Sequence, residues 1–132
     1  MKLRQADDEV ATGRFVVLHD PDGQQAWEGI TRVVVFVRAD LDADMAGDSL
    51  LGEVTWSWLQ EALEAHGAKQ HAAGGTVTLT TSSRYGAMAG VPPVHEVELR
   101  CSWTPDDSEL GAHLLAYADL VASMAGLPPS IP

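Results

Sequence analysis

Cysteine is nearly absent from this chain. Cys101 is its only thiol, so no internal disulfide and no thiolate zinc cluster can form. Positive charge is scarce as well: 8 Lys and Arg stand against 19 Asp and Glu, for a formal net charge of -11. A surface of that sign repels phosphate backbones and anionic lipid headgroups, which speaks against direct contact with nucleic acid or membrane. Long apolar runs are missing. Residues 33–37 (VVVFV) are far too few to cross a bilayer, and residues 1–10, with Lys2, Arg4, Asp7, Asp8 and Glu9, do not read as a signal peptide. These absences predict a cytoplasmic protein. No GxSxG, HExxH, GxGxxG or GxxxxGK[ST] pattern occurs, so the sequence carries no cofactor signature and no catalytic motif. General acid–base chemistry leaves no linear trace, which keeps an enzyme open without supporting one.

What is present suffices for one domain. Of the 132 residues, 45% are hydrophobic and 20% charged, a globular composition able to bury a core without staples. Residues 1–10 are expected to be a poorly ordered N-terminal segment and residues 11–132 the domain. Residues 14–19 (RFVVLH) and 31–38 (TRVVVFVR) are rich in β-branched and aromatic side chains, and Asp20-Pro21-Asp22-Gly23 between them predicts a hairpin turn. Residues 40–48 are an acidic loop or ragged helix start. At 100° per residue, Leu51, Val54, Thr55, Trp58, Leu59, Ala62 and Leu63 share one helical face, with Gly67 placed to end the helix. Val77 and Leu79 alternate with threonines in a strand over 75–83, and Val97, Leu99, Cys101 and Trp103 alternate with polar residues in another. Thr104-Pro105-Asp106-Asp107 has the residue types of a helix start. Leu110, Leu114, Tyr117, Val121 and Met124 would form the apolar face of that helix, and Pro128 and Pro129 would stop it. The predicted fold is therefore α+β: a two-layer sandwich with a four-stranded antiparallel sheet, chain order ββαββα, and two helices on one face.

The opposite sheet face is the first candidate site. If Val33, Val35 and Val37 face the helices, Arg32, Val34, Phe36 and Arg38 point away. Such a face is covered by another part of the chain, or serves as a binding or dimer surface together with Trp27 near the hairpin. The second candidate is a pocket near the 82–95 loop, where Arg84, Tyr85 and His95 gather. Asp40, Asp42 and Asp44 have the spacing that opens a calcium loop, but Met45 and Leu51 stand where Gly and Glu are needed, so no metal site is assigned. The five histidines lack metal-binding spacing and read as structural or exposed, with His113 at the margin of the last helix's apolar face. Cys101, on the inward parity of its strand, reads as a small buried hydrophobe.

Several stretches carry a family resemblance: residues 13–29 (GRFVVLHDPDGQQAWEG), 53–63 (EVTWSWLQEAL), 74–86 (GGTVTLTTSSRYG), 102–106 (SWTPD), 111–115 (GAHLL) and 125–129 (AGLPP). From about residue 11 onward the chain resembles the actinobacterial "domain of unknown function 3000" family, while residues 1–10 look unlike its members. The resemblance implies a cytosolic protein with no assigned activity. Gene neighbours in the family, an RNase D-like exonuclease among them, imply at most an accessory role in RNA metabolism. The reading that results is a small acidic interaction module, non-catalytic, whose partner is another protein or a second copy of itself. The alternative is a small-molecule binder or enzyme near the 82–95 loop.

Overall fold

The computed structural model describes residues 1–5 and 8–126. The expected helix stop at Pro128 and Pro129 lies outside them. Five strands, β1 (Lys2–Gln5), β2 (Asp8–Gln24), β3 (Gly29–Leu41), β4 (Gln70–Ser82) and β5 (Val94–Pro105), form one sheet in the order β1-β2-β3-β5-β4. Every neighbouring pair is antiparallel. The helices are α1 (Ala43–Ala46), α2 (Leu51–Ala65) and α3 (Gly111–Met124). The fold is α+β with an antiparallel sheet, as expected, but two details are corrected. The sheet has five strands where four were expected. The chain order is three strands, two helices, two strands and a helix, which the ββαββα order does not fit.

The extra strand left little trace in the sequence because β1 is only four residues long and has one apolar side chain. That residue, Leu3, is opposite Ala11 and packs against the core. The single turn of α1 forms in the acidic stretch because the Asp42 side chain accepts a hydrogen bond from the Met45 amide at 2.8 Å.

Two boundaries also differ from expectation. Asp20–Gly23 does not turn the first hairpin. Pairing is lost between His19 and Gln24, because Pro21 has no amide to give the ladder. Asp20 accepts from the Asp22 amide at 3.0 Å, and Gly23 returns the chain to the strand at φ 79°. The reversal itself is a 3-10 turn over Gln25–Trp27, closed by Glu28 at φ 53°. Likewise Thr104 and Pro105 end β5 instead of starting a helix. Pro105 is opposite Gln70, and the Thr104 hydroxyl donates to the Trp27 carbonyl and accepts from Arg32. With those residues committed to the sheet, α3 starts only at Gly111.

Alternation in β3 and β5 fixes the core. Val33, Val35, Val37, Val97, Leu99 and Trp103 are buried to within about 1%. They form a single cluster with Leu59 and Leu63 of α2 and with Ala116, Leu120, Val121 and Met124 of α3. Both long helices therefore pack on one face of the sheet. Of the expected apolar face of α3, Tyr117, Val121 and Met124 are buried and Leu110 packs against the core, but Leu114 does not join them. Leu114 and Leu115 are half exposed, whereas His113 is buried and accepts from Trp103 Nε1 at 2.9 Å through Nδ1. The imidazole is drawn inward because the buried indole N–H needs an acceptor.

Tyr117 presents the reverse situation. Its ring packs against Phe15 with centroids 5.4 Å apart, yet its buried hydroxyl has no hydrogen-bond partner among the described residues. Burial pushes its pKa up. Because an unsatisfied buried hydroxyl costs stability, Tyr117→Phe is expected to leave the folding free energy unchanged or to raise it by up to about 1 kcal/mol. Urea titration followed by circular dichroism measures this. A clear loss would show that the hydroxyl does have a partner in solution.

Candidate functional site

The strand register that buries the valines presents a second set of side chains on the face without helices. Across β2, β3, β5 and β4, Arg14, Phe36, Arg100 and Thr76 form one straight row. Val16, Val34, Ser102 and Gly74 form the next. Lys2, Thr12, Arg38, Glu98 and Thr78 form a third, on the other side of the arginine row. Five of the chain's 8 Lys and Arg (Lys2, Arg14, Arg32, Arg38 and Arg100) thus share one face of an acidic protein.

These cations differ in state. Arg32 is 9% exposed and donates to Thr104 Oγ1 at 3.0 Å and Ser102 Oγ at 2.9 Å. Burial lowers its pKa, with Glu28 opposing, and the guanidinium acts as a brace between β3 and β5. Arg38 pairs with Asp40 at 3.0 Å and Glu96 at 3.1 Å. Burial alone would lower its pKa, but these two carboxylates outweigh it and raise the value. Among the described residues no carboxylate pairs with Arg14 or Arg100. The Arg100 guanidinium lies over the Phe36 ring, 5.0 Å from its centroid, a cation–π contact that leaves its hydrogen-bond donors directed outward.

A concavity of about 720 Å³ lies beside this row. Its walls include Arg14, Val16, Leu18, Val34, Phe36 and Arg100, and its floor includes Gly74, Gly75 and Ser102. The hollow follows from side-chain size. The Val16–Val34 row runs out into serine and glycine, while the flanking rows end in longer side chains. Gly75 cannot be replaced without disturbance: a Cβ there would come within 2.4 Å of the Arg100 carbonyl oxygen.

Of the sequence-stated candidates, Val34, Phe36, Arg32 and Arg38 do lie on this face, but the two arginines among them are occupied. Arg14 and Arg100, which pair with no carboxylate among the described residues, come from the strands on either side of β3, and only the register reveals them. Trp27 is half-buried in the 3-10 turn and does not line the concavity. Arg84 and Tyr85 stand on the loop after β4, with Tyr85 81% exposed, and His95 Nδ1 is bonded to Thr81 Oγ1 at 2.8 Å. None of these three residues lines the concavity over the sheet.

The remaining chemistry-bearing groups are structural. His71 is held by Asp106 through Nδ1 at 2.6 Å and by the Glu28 carbonyl through Nε2 at 2.9 Å. The Asp106 carboxylate, and then the Glu28 carbonyl, raise its pKa. With both nitrogens engaged it latches the hairpin turn to β4 and has no nitrogen left to abstract a proton. Burial pushes the Cys101 thiol up to about 12, so it is not a nucleophile near neutrality. Among the described residues, no group of three or more His, Cys, Asp or Glu is placed to hold a metal ion, and no helix is long and apolar enough to cross a membrane.

A protein-family model described as "Protein of unknown function (DUF3000)" matches residues 1–131. The resemblance seen from residue 11 therefore extends through residues 1–10, which had looked unlike the family. No curated protein and no solved structure matches the chain.

Proposed function

The chain belongs to the DUF3000 family, and for it we propose the role of a protein-interaction module that holds an acidic, extended segment of a partner protein across the helix-free face of its sheet. The observation that carries this reading is the Arg14–Phe36–Arg100 row beside an open, mostly apolar hollow. Two guanidiniums that pair with no carboxylate among the described residues flank an aromatic ring, on a chain whose net charge is -11. Arginine forks suit carboxylates, and Val16, Val34 and Leu18 offer an apolar seat beside them. A phosphate chain fits less well: it brings no aliphatic side chains for the apolar seat, and its unbroken charge would meet Glu98 and then Asp40 and Glu96 in the next two rows, whereas a peptide can space its carboxylates and fill the hollow between them. A cytoplasmic partner agrees with a chain whose one thiol is buried and reduced.

The test uses the full chain and its Arg14→Glu/Arg100→Glu variant. Each is titrated into a short fluorescein-labelled peptide of alternating glutamate and leucine, and separately into a labelled oligouridylate, with anisotropy as the readout. The peptide should bind the natural chain, weaken with added salt, and lose at least about tenfold in affinity with the variant. Equal affinity for both proteins, no peptide binding, or tighter binding of the oligouridylate would overturn the reading.

A further inference from the structure

Among the described residues β4 forms one edge of the sheet with no further strand paired to it, and its own sequence lacks the usual protection. The other edge, β1, is four residues long and carries Lys2 and Arg4. β4 is 13 residues long, QHAAGGTVTLTTS, with no Asp, Glu, Lys, Arg or Pro. Every other strand carries charge. Its register with β5 breaks between His71 and Gly74 and is then unbroken through Ser82. Unpaired backbone groups on a long, regular, uncharged edge are a template for another strand. Proteins that stay monomeric usually blunt such an edge with lysine, proline or a bulge along its length.

We propose that β4 pairs antiparallel with β4 of a second copy, about a two-fold axis through Thr78, to form a continuous ten-stranded sheet. The pattern around Thr78 is self-complementary. Thr76 meets the partner's Thr80, Thr78 meets the partner's Thr78, and Val77 meets the partner's Leu79. The threonines fall on the helix-free face and the Val–Leu pairs on the helix side, where Leu79 is 45% exposed. Thr–Thr and aliphatic cross-strand pairs of this kind are favourable.

Charge fits the same arrangement. The row of Arg100 and Thr76 continues into the partner's Thr80 and Glu96, which sets unlike charges three strand spacings apart, too far to add much attraction. The Glu98 residues share the Thr78 row. They are three strand spacings apart, about 14 Å, which exceeds the Debye length of about 8 Å in physiological salt. An edge without charge is where two molecules of net charge -11 can meet with least repulsion. This inference does not depend on what binds the arginine face.

Sedimentation equilibrium of the full chain should show a concentration-dependent shift from 14.1 kDa toward twice that mass, strengthened by added NaCl as the net repulsion is screened. Thr78→Lys opposes two ammonium groups at the axis. It should raise the dimer dissociation constant at least about tenfold, with an unchanged circular dichroism spectrum. Thr78→Cys places two thiols within disulfide reach across the axis. It should cross-link on mild oxidation far faster than Ser83→Cys, placed beyond the strand. A strictly monomeric chain at high concentration, a dimer indifferent to Thr78→Lys, or equal cross-linking of the two cysteine variants would each overturn the proposal.

Discussion

Trp103→Ala is expected to remove about 4 kcal/mol of folding stability, a large share of the roughly 5–15 kcal/mol that domains of this size possess. Trp103 is fully buried and lies at the centre of the single core cluster. Truncation opens a cavity and also strips His113 Nδ1 of its donor at 2.9 Å, so a buried acceptor is orphaned at further cost. Trp103→Phe separates the two effects. It keeps most of the volume and should lose about 1–3 kcal/mol for the unsatisfied nitrogen. Urea unfolding followed by far-UV circular dichroism measures both, and a loss below about 1 kcal/mol for the alanine variant would contradict the central place given to this indole.

The same contact makes stability depend on pH. His113 must be neutral at Nδ1 to accept from the indole. Burial lowers its pKa, with Asp107 and Asp106 pulling weakly the other way. In the unfolded chain an imidazole takes its proton near about pH 6.5, before the folded His113 does. The unfolded state then binds more protons, so stability is intact above that pH and drains as pH falls toward the depressed folded value. The stability advantage of the natural chain over His113→Leu should therefore shrink between about pH 7.5 and about pH 5. A constant difference would mean that His113 accepts no bond in solution.

The second large effect is expected where α2 meets α3. His66 Nε2 lies 2.6 Å from Asp119 Oδ2, with side chains 7% and 10% exposed. His66→Leu removes this short contact from a buried carboxylate that keeps its other contacts, and should cost about 1–3 kcal/mol. Replacing both residues by leucine also removes the carboxylate that lost the contact, so His66→Leu/Asp119→Leu should cost less than the sum of the two single variants. Simple addition of the two single-variant effects would show that the pair is not coupled. The bond joins the end of α2 to the middle of α3.

The sequence exposed those parts of the fold in which one strand or helix decides its own burial. Valines at every second position of β3, the Val97-to-Trp103 alternation and the Leu51-to-Leu63 stripe each state their periodicity directly. The misplaced elements depend on distant partners. Pro21 looked like a turn residue, but it interrupts a strand whose reversal is set further on by Glu28. Thr104 and Pro105 looked like a cap, but Arg32 and the Trp27 carbonyl claim the hydroxyl. The burial of His113 depends on an indole N–H from another element. The arginine face was half legible: parity placed Arg32 and Arg38 on it. Which arginines lack carboxylate partners depends on register across four strands, and no local pattern encodes that.

The backbone of Gly75 presses against Cys101 too closely to admit even a methyl group, and the sulfur beneath it is sealed and protonated. Alkylating reagents therefore cannot reach that sulfur until the outermost ribbon lifts away or the helices packed on the same side open. The natural molecule thus contains its own stopwatch for these openings, readable by mass spectrometry with no label introduced.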